Sequence, residues 1–156
     1  MVAVAIPGFK DLQLKYLILD YNGTLACQGE LLAGVREKLE ALAPKLEIHI
    51  LTADTFGTAK GQVAQLPVRL SVIGLGDQAQ AKREYVGRLG CEHAVAIGNG
   101  RNDRVMLQDA ALGIAVLEGE GAAVEALTAA DVVAPGILAA LDLLLAPDCL
   151  KATLRS

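Results

Sequence analysis

Five short, almost unbroken apolar runs recur along this chain, and each leads into a segment of helical period. They occupy residues 16–21 (YLILDY), 46–51 (LEIHIL), 68–73 (VRLSVI), 93–97 (HAVAI) and 112–116 (LGIAV), with a weaker sixth at 131–134. Runs without polar alternation are those of strands buried on both faces. The helical stretches fall at 32–42, 55–65, 79–89, 103–110, 122–129 and 138–145. Strand alternating with helix predicts βαβ units with right-handed crossovers, hence a doubly wound α/β fold around a mostly parallel sheet. The 156 residues suffice for one domain, expected over 1–156. At its front, IPGFKD inside residues 1–15 predicts a β-hairpin.

Composition removes several partners. Aromatics are 3% of the chain with no Trp, so bases and sugars have no stacking platform. Net charge is -4 and no stretch concentrates Lys and Arg, which argues against nucleic acid and anionic membranes. The opening apolar run stops at Pro7 and Gly8, and Asp142 and Pro147 interrupt the leucine-rich C-terminal segment. Neither predicts membrane insertion, and a cytoplasmic location is expected. Cys27, Cys91 and Cys149 are odd in number, far apart and without a CxxC, a pattern read as buried thiols in a reducing compartment.

In open parallel sheets ligands bind beyond the carboxyl ends of the strands, so polar residues closing an apolar run are the first candidates. Three runs end that way: at 20–24 (DYNGT), 52–54 (TAD) and 98–103 (GNGRND). Asp20 would end a buried strand on a carboxylate, a desolvation cost that calls for a cation or donors. Gly23 permits a sharp turn whose amides could hold an anion, and Thr24 can donate to that anion or cap the turn. An Asx-turn explains the same pentapeptide with no ligand. Asn99 and Asp103 could aim oxygens into one small volume, which suits Mg2+, or the stretch could simply cap the next helix. Thr52 read alone is a helix cap. Lys82 read alone is a surface lysine, but a phosphoryl site facing Asp20 would need one ammonium to balance it. Lys60 competes for that role, although it lies two turns into a helix heading away from the strand tips.

In order, DxxGT at Asp20, Thr52 after a second strand, Lys82 on a later helix and GNGxND at 99–103 resemble the four motifs of the haloacid dehalogenase superfamily. LDYNGTLA, LTADTFG and IGNGRNDRVMLQDAALGIAV look most like soluble relatives of the P-type ATPase phosphorylation domain, over nearly the whole chain. The resemblance implies that Asp20 is a nucleophile forming an aspartyl-phosphate. It implies Mg2+ on the Asp20 carboxylate, the Asn22 backbone carbonyl, Asn99 and Asp103. It further implies phosphoryl contacts from Gly23, Thr24, Thr52, Ala53, Lys82 and Asn102.

Two departures from that pattern bear on activity. The family's phosphatases carry a general acid/base Asp two residues after the nucleophile, and Asn22 stands there; an amide cannot shuttle the proton. Asn99 replaces the first Asp of GDGxND, which keeps an oxygen ligand and removes a charge. The expected function is a Mg2+-dependent phosphohydrolase of low turnover. The alternative is a catalytically weak regulatory module that keeps the fold and serves a partner such as a transporter. The dehalogenase branch is disfavoured, since Asn102 and Asp103 suit a metal that its chemistry does not need. From Asp20 to Thr52 is 32 residues, and from Thr52 to Lys82 is 30, too few to hide a cap domain. Capless members of the superfamily act on macromolecules or borrow a neighbouring subunit as lid, so a phosphorylated substrate of macromolecular size and a homo-oligomer are expected.

Overall fold

The computed structural model describes residues 1–54 and 57–156. Six strands form one parallel sheet: β3 (Tyr16–Asp20), β6 (Glu47–Thr52), β7 (Val68–Val72), β8 (Ala94–Gly98), β9 (Leu112–Val116) and β10 (Val132–Ala134). Two small antiparallel pairs stand apart from it, β1 (Val2–Ala5) with β2 (Asp11–Leu14) and β4 (Ala26–Cys27) with β5 (Glu30–Leu31). The helices are α1 (Val35–Leu42), α2 (Ala59–Val63), α3 (Gln78–Leu89), α4 (Arg104–Asp109), α5 (Val124–Ala129), α6 (Ile137–Leu145) and α7 (Pro147–Leu154). The strand order is β10-β9-β8-β3-β6-β7. From β3 the chain steps outward to β6 and β7, then crosses back to build β8, β9 and β10 on the other side. That reversal opens a crevice at the carboxyl ends of β3 and β8, where such sheets bind ligands.

The sheet divides two apolar layers. Leu17 and Leu19 of β3 join the side chains of α1, α2, α6, α7 and the β1–β2 hairpin, whereas Ile18 points to α3, α4 and α5. The second layer is built on Ala94, Ala96 and Ala115, small residues that let its helices approach the sheet closely. Gly113 in β9 marks the tightest point, since a Cβ there would lie 2.1 Å from the Leu107 carbonyl oxygen of α4. Backbone cannot turn aside as a flexible side chain can. Gly113→Ala is therefore expected to destabilise the fold by about 1–3 kcal/mol, read as a lower midpoint in urea, while Gly119→Ala, which meets nothing within 4 Å, leaves it unchanged.

The expected architecture is present, and no further domain is inserted among the described residues. Several details differ. The helix expected at 55–65 is α2 alone; Thr55 and Phe56 lie outside the described residues. The helix expected at 103–110 is preceded by a 3-10 turn, Arg101–Asp103. Sequence patterning misses β4 and β5, which are too short to carry a period. It also misses α7, because Pro147 reads as a stop although proline is favoured in a first helical turn. The three thiols are not buried: Cys27 and Cys149 are exposed and Cys91 is half-buried, because they sit on peripheral elements. The N-terminal strand turns Val2 to the core, and Ala3 and Ala5 face outward. Asp142 keeps α6 tied to α1 through an ion pair with Lys38. No helix among the described residues is long and apolar enough to cross a membrane.

Candidate active site

Alternation along β3 puts Asp20 on the same side as Ile18, which is the side α3 covers. Lys82 of α3 reaches it there. The Lys82 ammonium donates to Asp20 Oδ1 at 2.7 Å and to Asp103 Oδ1 at 2.5 Å, with 1% of the lysine exposed. Burial alone would lower the Lys82 pKa, but the Asp20 and Asp103 carboxylates outweigh it and hold the amine above the ordinary lysine range. Burial, then the Asp20 charge, raise the Asp103 pKa to about 6 against the opposing pull of Lys82. When both acids are ionised, two carboxylates face one ammonium. An excess negative charge therefore stays buried at the end of the sheet.

The loop after β8 is pinned to this centre. Asp103 Oδ2 accepts from the Asn99 and Gly100 amides at 3.1 and 2.8 Å. Asn99 Nδ2 donates to the Gly121 carbonyl at 3.0 Å, which fixes the amide so that Oδ1 faces Thr24. Thr24 Oγ1 lies 3.0 Å from Asp20 Oδ2 and 3.3 Å from Asn99 Oδ1. Gly23 has a φ of 78°, and a Cβ there would come within 2.5 Å of Asn99 Nδ2, so only glycine lets the two loops meet. Farther along α3, Tyr85 ties the helix to β6 by a 2.9 Å bond between its hydroxyl and His49 Nδ1.

A cleft of about 220 Å3 opens over this centre, lined by Asp20, Asn22, Thr52, Ala53, Gln78, Lys82, Asn99, Gly100 and Asn102. Seven residues named from the sequence thus converge on it. Gly23, Thr24 and Asp103 do not line it. The Gly23 amide is spent on the Ala26 carbonyl at 2.8 Å and the Thr24 amide approaches the Tyr21 carbonyl at 3.3 Å, so the turn does not present them as the expected anion cradle. Asp103 is fully buried and reaches the cleft through Lys82 and the loop amides. Thr52 is not the expected helix cap, since α2 starts at Ala59 after Thr58; its hydroxyl accepts from the Asp54 amide at 2.9 Å in a local turn, and it lines the cleft as well. Lys60 is exposed on α2. Gln78 was missed, although it sits one turn before Lys82 on the same helix and bonds Asn102 at 2.6 Å. A larger groove of about 500 Å3 lies at the amino ends of β6 and β7, away from these buried polar groups.

The oxygen donors fit a hard divalent cation. Asp20 Oδ2 and Asn99 Oδ1 share Thr24 as a common neighbour, and the Asn22 carbonyl accepts none of the turn's backbone hydrogen bonds among the described residues. Asp103, expected as a second carboxylate ligand, has its oxygens engaged by Lys82 and the Asn99 and Gly100 amides, so a cation there would meet one free carboxylate, that of Asp20.

No family model matches the chain. Two uncharacterized proteins of Methanocaldococcus jannaschii are each 49% identical to it, over 61 residues (39% of this chain, 66% of that protein) and over 39 residues (25% and 89%). The second match spans enough of its protein to place the two in one family. Among solved structures, a haloacid dehalogenase superfamily (subfamily III A) hydrolase from Legionella pneumophila aligns with a TM-score of 0.71 at 22% identity, over 90% of this chain and 86% of that one. The fold is that of the haloacid dehalogenase superfamily. Another structure with this haloacid dehalogenase fold is the 3-deoxy-D-manno-octulosonate 8-phosphate phosphatase of Moraxella catarrhalis, solved with magnesium, phosphate and KDO. It aligns with a TM-score of 0.66 at 18% identity, over 90% of this chain and 92% of that one. A zinc-transporting PIB-type ATPase aligns with a TM-score of 0.61 at 27% identity, over 79% of this chain but 20% of the ATPase.

Proposed function

We propose that the chain is a phosphohydrolase in which Asp20 takes the phosphoryl group, with low intrinsic turnover. The observation that carries this reading is the buried Asp20–Lys82–Asp103 arrangement, of which Asp20 and Lys82 line the cleft and Asp103 lies beneath it, an expensive grouping for structure alone. In the first step an Asp20 oxygen bonds to phosphorus while the bond to the leaving oxygen breaks. Lys82, Thr52 and Asn102 orient the phosphoryl oxygens, and Lys82 also holds the Asp20 carboxyl in place at 2.7 Å. Asp20, the Asn22 carbonyl and Asn99, with Asp103 steadying the loop behind them, would hold Mg2+, which would supply positive charge that lets a phosphate approach a carboxylate. In the second step water attacks phosphorus and releases the Asp20 carboxylate. Asn22 Oδ1 is buried without a hydrogen-bond partner among the described residues, and an amide at this position cannot take the proton of that water.

Good leaving groups therefore react first, and the phosphoenzyme persists. The test is to incubate the protein with acetyl phosphate or p-nitrophenyl phosphate and Mg2+, then map the adduct by mass spectrometry. The expected result is a hydroxylamine-sensitive phosphoryl group on the peptide holding Asp20, absent from Asp20→Asn and absent when Mg2+ is chelated. Undiminished labelling of Asp20→Asn would remove Asp20 as the nucleophile. The second reading, a phosphorylated module serving a partner, is favoured by Asn22 itself; it expects labelling of the wild type without release of phosphate.

A further inference from the structure

Arg101 lies inside the GNGRND stretch yet takes no part in the chemistry above. The Gln78–Asn102 bond that closes one side of the cleft is also the wall of a second groove, of about 390 Å3, which contains Arg101, Arg104 and Asp77. The groove holds two guanidiniums and the Asp77 carboxylate, with the Glu125 carboxylate beside Arg101. Each guanidinium is engaged through one of its nitrogens and keeps further donors. Arg101 Nε pairs with Glu125 at 3.1 Å, but both side chains are more than half exposed, and such pairs contribute little and exchange readily. Arg104 donates one hydrogen bond, to the Arg101 carbonyl at 2.7 Å, which leaves the rest of its fork open. Asp77 has its carboxylate engaged with the Gln80 amide at 3.1 Å, capping α3.

We propose that this groove is a subsite for a second anionic group on the leaving portion of the substrate, a carboxylate or a second phosphate bound bidentately by Arg101 and Arg104. The inference rests on the phosphohydrolase reading and narrows it to small, doubly anionic phosphate esters. Recognition of this kind is what a planar guanidinium provides and an ammonium does not. It also gives an uncapped site a means of choosing its substrate without a lid. Gln78 and Asn102, bonded to each other, set the separation between the two anionic groups.

The test compares kcat and KM of the full chain with Mg2+ on 3-phosphoglycerate and phosphoglycolate, which carry a carboxylate, and on fructose 1,6-bisphosphate, which carries a second phosphate. Glucose 6-phosphate and p-nitrophenyl phosphate serve as esters without a second anion. The expected result is a KM for one of the doubly anionic groups that rises about tenfold in Arg101→Ala and in Arg104→Ala, the loss of one charge-assisted hydrogen bond. Activity on p-nitrophenyl phosphate stays unchanged in both. Which arm responds tells carboxylate from phosphate. Equal KM values across the panel, with p-nitrophenyl phosphate still hydrolysed, would overturn the subsite and leave the Asp20 chemistry standing. If turnover is too slow to compare, titration calorimetry of the same compounds decides. Tighter binding of a doubly anionic ester that both arginine variants lose supports the subsite, and affinities equal to that of glucose 6-phosphate reject it.

Discussion

Asn22→Asp is expected to accelerate phosphate release by about 100- to 10,000-fold, the usual contribution of a positioned general acid/base. The substitution is nearly isosteric and falls on a residue that already lines the cleft. Its Oδ1 has no partner to lose among the described residues. The new carboxyl would lie in a half-buried position close to Asp20, and both desolvation and that like charge push its pKa upward. A fraction then remains protonated near neutrality and can protonate the leaving oxygen; the ionised form next takes a proton from the attacking water. The measurement is single-turnover decay of the phosphoenzyme alongside steady-state release. An unchanged decay rate would mean that proton transfer at position 22 does not limit the cycle. A wild type with no release, beside an active Asn22→Asp, would favour the regulatory-module reading.

Lys82→Met is expected to cost about 3–5 kcal/mol of stability, the range for removing one partner of a buried ion pair. The exchange keeps most of the side-chain volume and removes the charge, leaving Asp20 and Asp103 without their shared cation. The effect has a sign in pH. Asp103 already holds its proton more tightly in the folded chain than its ordinary value of 3.8, at about 6, and Lys82 is one of the influences pulling it down. Without Lys82 the folded value climbs further. A raised folded pKa gives stability that is fully present below the unfolded value and is lost as pH rises through the folded one. Urea midpoints should therefore differ more between variant and wild type at pH 8 than at pH 5. Equal deficits at the two pH values would mean that the carboxylates find another cation or are hydrated.

What could be read in the sequence follows from what each residue does alone. The runs 16–21 and 112–116 declare strands because burial on both faces leaves no other reading, and they match β3 and β9 closely. Asp20 and Asn99 were legible because a carboxylate or amide ending such a run needs a reason. Lys82 required an argument about charge balance, together with one about the direction of the helix that holds Lys60. The role of Gly23 was misread for a different cause: whether a turn amide is free depends on where the chain goes next, and here it folds back so that the Ala26 carbonyl takes it. Gln78 was invisible because its partner Asn102 is 24 positions away. Asp103 looked like a residue open to the cleft because spacing reports which loop holds a carboxylate and not the depth at which its oxygens are spent.

The order of the strands also sets a schedule for assembly. β3 is the hub of the sheet, yet both of its neighbours come later in the chain, Tyr16 pairing with Glu47 on one side and with Ala94 on the other. At ribosomal rates of about 5–20 residues per second, Ala94 follows Tyr16 by on the order of 4 to 16 s. During that interval a nascent β3 has one open flank, and Asp20 has neither the ammonium of Lys82 nor the loop that Asp103 anchors. Pairing across such separations carries a loop-closure cost before any contact offsets it. The chain therefore acquires its reactive centre in a late, concerted step, when the return crossing brings β8 alongside β3. Fragments ending before that crossing should expose apolar strand edges and draw on chaperones until synthesis passes it.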